Sequence, residues 1–218
     1  MEYDILGINT PLFDGIDQKD LAGMLHCTGY YTAGYKKGQV IHLEQEAIRH
    51  IGIVVTGAVD MIMEDIWGNR TLLARIRTAE MFGETFACGE DNRSMATFLA
   101  AEDSLVVFIA FHKVMHTCSM ACQFHHRLVE NMVRIIASKN RELLQKIEIM
   151  SKKSLREKIL AYLSVQAQIQ ESRYVELPLG RVELAQYLCA DRSALTRELT
   201  NMKADGLIDY DKNTFRIL

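Results

Sequence analysis

Between residues 30 and 111 the apolar positions come in short β-prone runs separated by turn residues. Val40-Ile41-His42-Leu43 follows Lys37-Gly38, and Ile51-Gly52-Ile53-Val54-Val55 leads into Thr56-Gly57. Val59-Asp60-Met61-Ile62-Met63 ends in the polar stretch 65 to 69, and Thr71-Leu72-Leu73-Ala74-Arg75-Ile76 comes next. Strands of about five residues at this spacing predict an antiparallel barrel or roll. Alternation is clearest in the later runs, among them residues 104 to 109. Ahead of the roll, Leu12, Phe13, Ile16, Leu21 and Leu25 predict short helices packed on it.

The period changes after the roll. Residues 113 to 150 contain neither Gly nor Pro, and Val129, Val133, Ile136, Asn140, Leu143, Ile147 and Met150 follow one another at alternating spacings of four and three. Such a heptad seam buries itself against a second helix. A lone Asn in a seam costs stability unless it pairs with its own copy, so Asn140 is read as fixing the register of a homodimer. The other reading is a long helix lying on its own domain. Leu155, Ile159, Leu160 and Leu163 then predict an amphipathic helix over residues 155 to 169.

A polar link at Glu171-Ser172-Arg173 and an extended piece before Pro178 lead to the C-terminal segment. Residues 181 to 188 have helical apolar spacing and end at Cys189-Ala190. Asp191 is a good N-cap for a second helix through Leu195, Leu199 and Met202, and Gly206 can take the left-handed position after its end. Two short helices joined by a tight turn, with small Ala185 at the crossing, fit a helix-turn-helix. Residues 208 to 210 and 214 to 217 complete a hairpin wing. Arg192, Ser193, Thr196 and Arg197 cluster on one face of the second helix, opposite Leu195 and Leu199. Arginine suits the O6/N7 edge of guanine, and early positions of a recognition helix reach base edges in double-stranded DNA. The plainer alternative is a solvated helix face.

Composition narrows the class. A chain of 218 residues allows one large domain or two modest ones, and its 49% apolar and 24% charged residues exclude extended disorder. No run approaches the roughly 20 apolar residues of a membrane span, and the N-terminus lacks the pattern of a signal peptide, so a cytoplasmic chain with no membrane contact is expected. The net charge of −3 is uneven: residues 1 to 126 hold 9 Lys and Arg against 16 Asp and Glu, −7, and residues 127 to 218 hold 16 against 12, +4. Of 13 glycines, 11 fall between Gly7 and Gly89, which again divides a turn-rich half from a helical one. Five cysteines without a secretion signal are read as free thiols.

In this order the motifs resemble the Crp/Fnr family of bacterial transcription regulators over nearly the whole chain. The residues that carry the resemblance are Pro11-Leu12-Phe13, Gly38, Thr56-Gly57-Ala58-Val59, Met81-Phe82-Gly83-Glu84, Glu102-Asp103-Ser104, and Leu188 through Arg197 to Gly206-Leu207-Ile208. The resemblance implies an α+β protein: an effector-sensing, cyclic-nucleotide-binding-like β-roll with N-terminal helices (1–112), a dimerisation helix (113–150) and a winged helix-turn-helix (151–218). It also implies a homodimer on a palindromic site, a small-molecule effector and RNA polymerase as a partner. The family's recognition helix commonly carries Arg-Glu-x-x-x-Arg. Arg192 and Arg197 match, but Ser193 replaces the Glu, which predicts a half-site altered at the neighbouring base. Cys189 stands where the family usually has Gly, and is strained if the backbone there needs positive φ.

The family's cAMP receptors close on the cyclic phosphate with Gly-Glu and an Arg-Ser pair, the Arg ten residues after the Glu. Gly83-Glu84 is present, but Arg93 falls nine residues after Glu84, and gapless matching sets Ser94 at the arginine position and Met95 at the serine position. One residue of slip turns a strand side chain to the opposite face. The candidate effector set is therefore Gly83, Glu84, Arg93 and Ser94, with an effector other than cAMP expected and a cAMP-dependent regulator as the alternative. Met61, Met63, Met95 and Phe98 would suit a less polar ligand, against the plainer reading of a Met-rich strand set as core. His112, His116, Cys118, Cys122, His125 and His126, with His112/His116 and Cys118/Cys122 at i,i+4 spacing, offer a metal, haem or thiol-switch reading, against a junction simply filled by these side chains. No cofactor is identified. An enzyme of the cupin type is the remote alternative, since His42-x-Glu44 lacks the paired His of such sites.

Overall fold

Eight strands follow one another in the N-terminal half of the computed structural model, which describes residues 8–115 and 123–218. They are β1 (Tyr30–Tyr35), β2 (Val40–His42), β3 (His50–Thr56), β4 (Ala58–Glu64), β5 (Arg70–Arg77), β6 (Met81–Phe82), β7 (Thr97–Ala100) and β8 (Ser104–Ala110). They pair into two antiparallel four-stranded sheets, in the orders β1-β8-β3-β6 and β2-β7-β4-β5. This is the expected roll. β3 reads as an almost unbroken apolar run because β8 and β6 flank it and Ile51, Ile53 and Val54 are all buried. Gly52 interrupts that run for a reason: a Cβ there would collide with the Phe82 ring, which lies against the strand. Gly57, at φ 83°, makes the tight turn from β3 to β4, and a Cβ would strike Ser104.

The N-terminal apolar residues form a 3₁₀ turn (Pro11–Phe13) and helix α1 (Gln18–Thr28), whose Leu12, Phe13, Leu21, Met24 and Leu25 enter the roll's core. Short helices α2 (Glu84–Ala87) and α3 (Phe111–Met115) follow, and then the 28-residue α4 (Gln123–Met150). Leu128 and Met132 of α4 join the same core. Buried Asn131 donates to the carbonyls of Leu12 (3.1 Å) and Asp14 (2.8 Å), tying α4 to the N-terminal turn.

Contacts divide the chain inside α4, between Ser138 and Lys139. The second unit comprises the end of α4, α5 (Leu155–Ile169), β9 (Tyr174–Glu176), α6 (Arg181–Tyr187), α7 (Arg192–Ala204), β10 (Ile208–Asp211) and β11 (Thr214–Ile217). α5 has the bounds that the apolar spacing predicts. Its start is fixed by a capping box, in which Ser154 accepts from the Glu157 N–H while the Glu157 carboxylate accepts from the Ser154 N–H. Leu184, Ala185, Leu188, Leu195, Leu199, Met202, Ile208 and Phe215 are buried in this unit, and its small sheet has the order β10-β11-β9. Among the described residues no helix is long and apolar enough to cross a membrane.

Candidate nucleic-acid interface and effector site

Ala185 of α6 is buried, and the turn between α6 and α7 closes with the Ala190 N–H donating to the Ala185 carbonyl at 2.9 Å. Cys189 sits in that turn at φ 51°, the left-handed conformation for which a glycine is better suited. Asp191 occupies the N-cap position of α7 with extended dihedrals, but its side chain caps no N–H. Gly206, at φ 70°, follows the C-cap residue Asp205 as expected.

Along α7, Leu195, Leu199 and Met202 face the core. The other side presents Arg192, Ser193, Thr196 and Arg197, all exposed. Thr196 returns its hydroxyl to the Arg192 carbonyl at 2.9 Å. Neither Arg192 nor Arg197 makes a side-chain hydrogen bond or ion pair among the described residues, so both guanidinium groups remain open to a partner. Nearby cations behave differently. Arg181, at the start of α6, lies over the Tyr210 and Phe215 rings (4.9 and 4.8 Å) and donates to the Lys212 carbonyl at 2.8 Å, which holds the β10–β11 turn against α6. Lys203 pairs with Asp209 at 2.6 Å. Lys146 of α4 lies 4.0 Å from the Tyr187 ring centroid, and burial pulls its ammonium down to about 8. Sequence pattern did not reveal these positioning roles, because each depends on a tertiary neighbour.

The seam of α4 is largely open. Val133, Ile136, Asn140, Leu143 and Ile147 are exposed, whereas Val129 and Met150 are half-buried. Leu144 adds to the exposed apolar face, while Leu128, Met132 and Ile149 point into protein.

In the roll, three of the four candidate effector residues, Gly83, Arg93 and Ser94, lie against the segment 45 to 48. Gly83 is left-handed at φ 83°, and its backbone packs near Ile48. Glu84 opens α2 and is buried. Arg93 bridges Ala47 in antiparallel fashion and points outward, its guanidinium donating to the Gln45 carbonyl at 3.0 Å. Ser94 points inward and is fully buried, its hydroxyl bonded to the Ala96 carbonyl and N–H. The one-residue slip thus sets a neutral hydroxyl inside the roll and the cation outside.

The apolar set does not converge. Phe98 is in the core and Met61 packs beside it, but Met63 and Met95 are exposed. His42 is enclosed instead, edge-on to Phe98 and Phe108 at 6.5 and 6.0 Å. Burial pushes its imidazole below the usual histidine range, against the opposing pull of the Glu46 carboxylate 3.7 Å away. Glu44 is exposed, so the His42-x-Glu44 pair forms no metal-binding set. Among the described residues no three His, Cys, Asp or Glu side chains are placed to hold a metal ion. His116, Cys118 and Cys122 lie outside the described residues. Of their companions, His125 is buried while His112 and His126 are exposed.

Two family models match the chain: a cyclic nucleotide-binding domain over residues 33–119 and a Crp-like helix-turn-helix domain over residues 157–218. No curated protein matches it. Solved structures with the same fold include CLP, a cyclic-di-GMP-responsive global regulator from Xanthomonas campestris, with TM-score 0.71 and 16% identity over 90% of this chain and 98% of that one. A CooA variant from Carboxydothermus hydrogenoformans has TM-score 0.71 and 19% identity, covering 89% of this chain and 85% of its own. FixK2 from Bradyrhizobium japonicum has TM-score 0.65 and 17% identity over 87% and 92%. At these identities the likeness shows a shared fold. With a nucleotide-binding-type roll, a long helix and a Crp-like helix-turn-helix in this order, the chain belongs to the Crp/Fnr family of transcription regulators.

Proposed function

We propose that the chain acts as a homodimer that reads a palindromic DNA site through Arg192, Ser193, Thr196 and Arg197, under the control of a small molecule other than cAMP. The observation that carries the DNA reading is the face of α7, where two arginines stay open while Arg156, Arg181 and Lys203 are engaged within the same unit. Guanidinium groups in the first turns of a helix are suited to guanine edges. Support for the homodimer is the apolar stripe of α4, with Val133, Leu143 and Ile147 each more than half exposed. Left in water, such a stripe is costly; paired with its own copy it becomes a coiled-coil seam with Asn140 opposite Asn140. The two recognition helices of a dimer then address half-sites about one DNA turn apart. RNA polymerase is the further partner that family membership implies.

The effector half of the reading rests on charge. A cyclic phosphate needs a cation in the roll, and Arg93 faces outward to the Gln45 carbonyl while Ser94 faces inward. A less charged ligand fits this arrangement better. Micromolar cAMP binding that Arg93→Ala abolishes would overturn that part. For the DNA reading, a gel shift with promoter DNA at two salt concentrations should show affinity falling steeply with salt, since neutralised phosphates release counterions; salt-independent or absent binding would refute it.

A further inference from the structure

Arg156 is the second residue of α5, in the turn that the Ser154–Glu157 capping box fixes. Its guanidinium reaches α7 at two points: Nε donates to Glu198 Oε1 at 2.5 Å and Nη1 to Asp205 Oδ2 at 2.6 Å. Glu198 and Asp205 are seven residues apart, close to two helical turns, so they lie on one line along α7. At 100° per residue that line is roughly 160° around the axis from the centre of the Arg192, Ser193, Thr196 and Arg197 face. The clamp therefore grips the recognition helix from behind.

Two contacts on one line restrain rotation about the helix axis more effectively than a single contact can. Apolar side chains such as Leu195 and Leu199 hold α7 in place but tolerate small rotations; a forked guanidinium on two carboxylates is directional. The clamp also supplies positive charge at Asp205, the C-cap residue, where a carboxylate alone opposes the helix dipole. Only residues 151 to 154 separate the end of α4 from the helix that carries Arg156. Arg156 thus ties the helix that follows α4 directly to α7.

We propose that Arg156 is a positioning residue that sets the axial rotation of the recognition helix, and through it which base edges Arg192 and Arg197 meet. This rests on the DNA reading above, and the consequence is specific: discrimination between sequences depends on Arg156 more than general DNA affinity does. Glu198 and Asp205 share the role although neither lies on the DNA-reading face. A lysine cannot replace Arg156 fully, because a single ammonium does not present the fork.

The test uses the full chain and the variants Arg156→Ala, Arg156→Lys and the double change Glu198→Gln with Asp205→Asn. Two quantities are measured: the ratio of affinities for a selected duplex and a random one at fixed salt, and hydrogen exchange of α7 amides without DNA. Arg156→Ala should lower the ratio about tenfold, comparable to one mismatched base pair, while random-duplex affinity changes less than about threefold. The double variant should reproduce this, Arg156→Lys should recover part of it, and exchange in α7 should quicken about tenfold relative to α6. A ratio within about twofold of the parent in both the Ala and the double variant would overturn the proposal. A parent that prefers no duplex refutes the DNA reading instead, and unchanged α7 exchange in both variants then overturns the clamp independently.

Discussion

The two units treat their polar groups in opposite ways. In the roll, the two candidate effector residues affected by the one-residue slip are already engaged: Ser94 with Ala96 and Arg93 with Gln45. In the C-terminal unit, α7 keeps two arginines open while Arg156, Arg181 and Lys203 of the same unit are tied down. A surplus of charge is thus a poor guide to an interface by itself. What marks the α7 face is the contrast between open arginines and neighbouring ones with structural duties.

The largest effect that could break this contrast belongs to the seam. Leu143→Asp would bury one unpaired carboxylate per copy, costing roughly 3 to 5 kcal/mol each, and should leave a monomer by sedimentation with DNA binding lost. Dimers persisting at micromolar concentration would remove α4 from the interface. Asn140→Asp should loosen the dimer and DNA binding together, to a smaller extent.

Next comes Arg197→Ala. Loss of a base-reading arginine costs roughly 1 to 3 kcal/mol of specific binding and relaxes preference at one position of each half-site. An unaltered preference would reduce Arg197 to a phosphate contact. On the sensor side, Gly52→Ala forces a Cβ into the Phe82 ring, and overpacking of this kind costs about 1 to 3 kcal/mol, read as a lower urea midpoint. A neutral result would mean that the roll's interior is looser than its packing indicates.

Two smaller effects sharpen the account of the C-terminal unit. Cys189→Gly should stabilise by about 1 kcal/mol, since it removes a side chain from a left-handed position. No gain in thermal midpoint would show the strain to be relieved elsewhere. Lys146 gives a pH signature. Below about 8 both folded and unfolded chains hold its proton; between there and the ordinary 10.5 only the unfolded chain does. Stability of this unit should therefore rise with pH across that window, and Lys146→Met should remove that contribution in urea titrations at about pH 7.5 and about 9.5.

Much of the fold was legible because local signals agreed. The 155–169 spacing and the Ser154–Glu157 box name the same helix, and the run around Val59 to Met63 is a strand between two turns. β7 (Thr97–Ala100) was harder to read, since four residues carry little period and take their place from pairing with β4 and β2. The open face of α7 could be read from spacing alone. The clamp could not: Arg156 meets partners 42 and 49 residues away, and an arginine at a helix start looks like any solvated charge. In the roll, counting residues sets Ser94 inward and Arg93 outward, whereas the Met side chains do not behave as one set: Met61 packs beside the core, and Met63 and Met95 are exposed. Met61 and Met63 share β4 and Met95 lies ahead of β7, so strand alternation alone does not tell whether the three meet.

The measurement that tests the central claim most directly is selection of bound sequences from a random duplex pool, with the parent protein and with Arg197→Ala. The account predicts a palindrome with half-site centres roughly 10 base pairs apart, a guanine required in each half by the parent and no longer by the variant. A single unpaired half-site, or the same guanine requirement in both proteins, would contradict it.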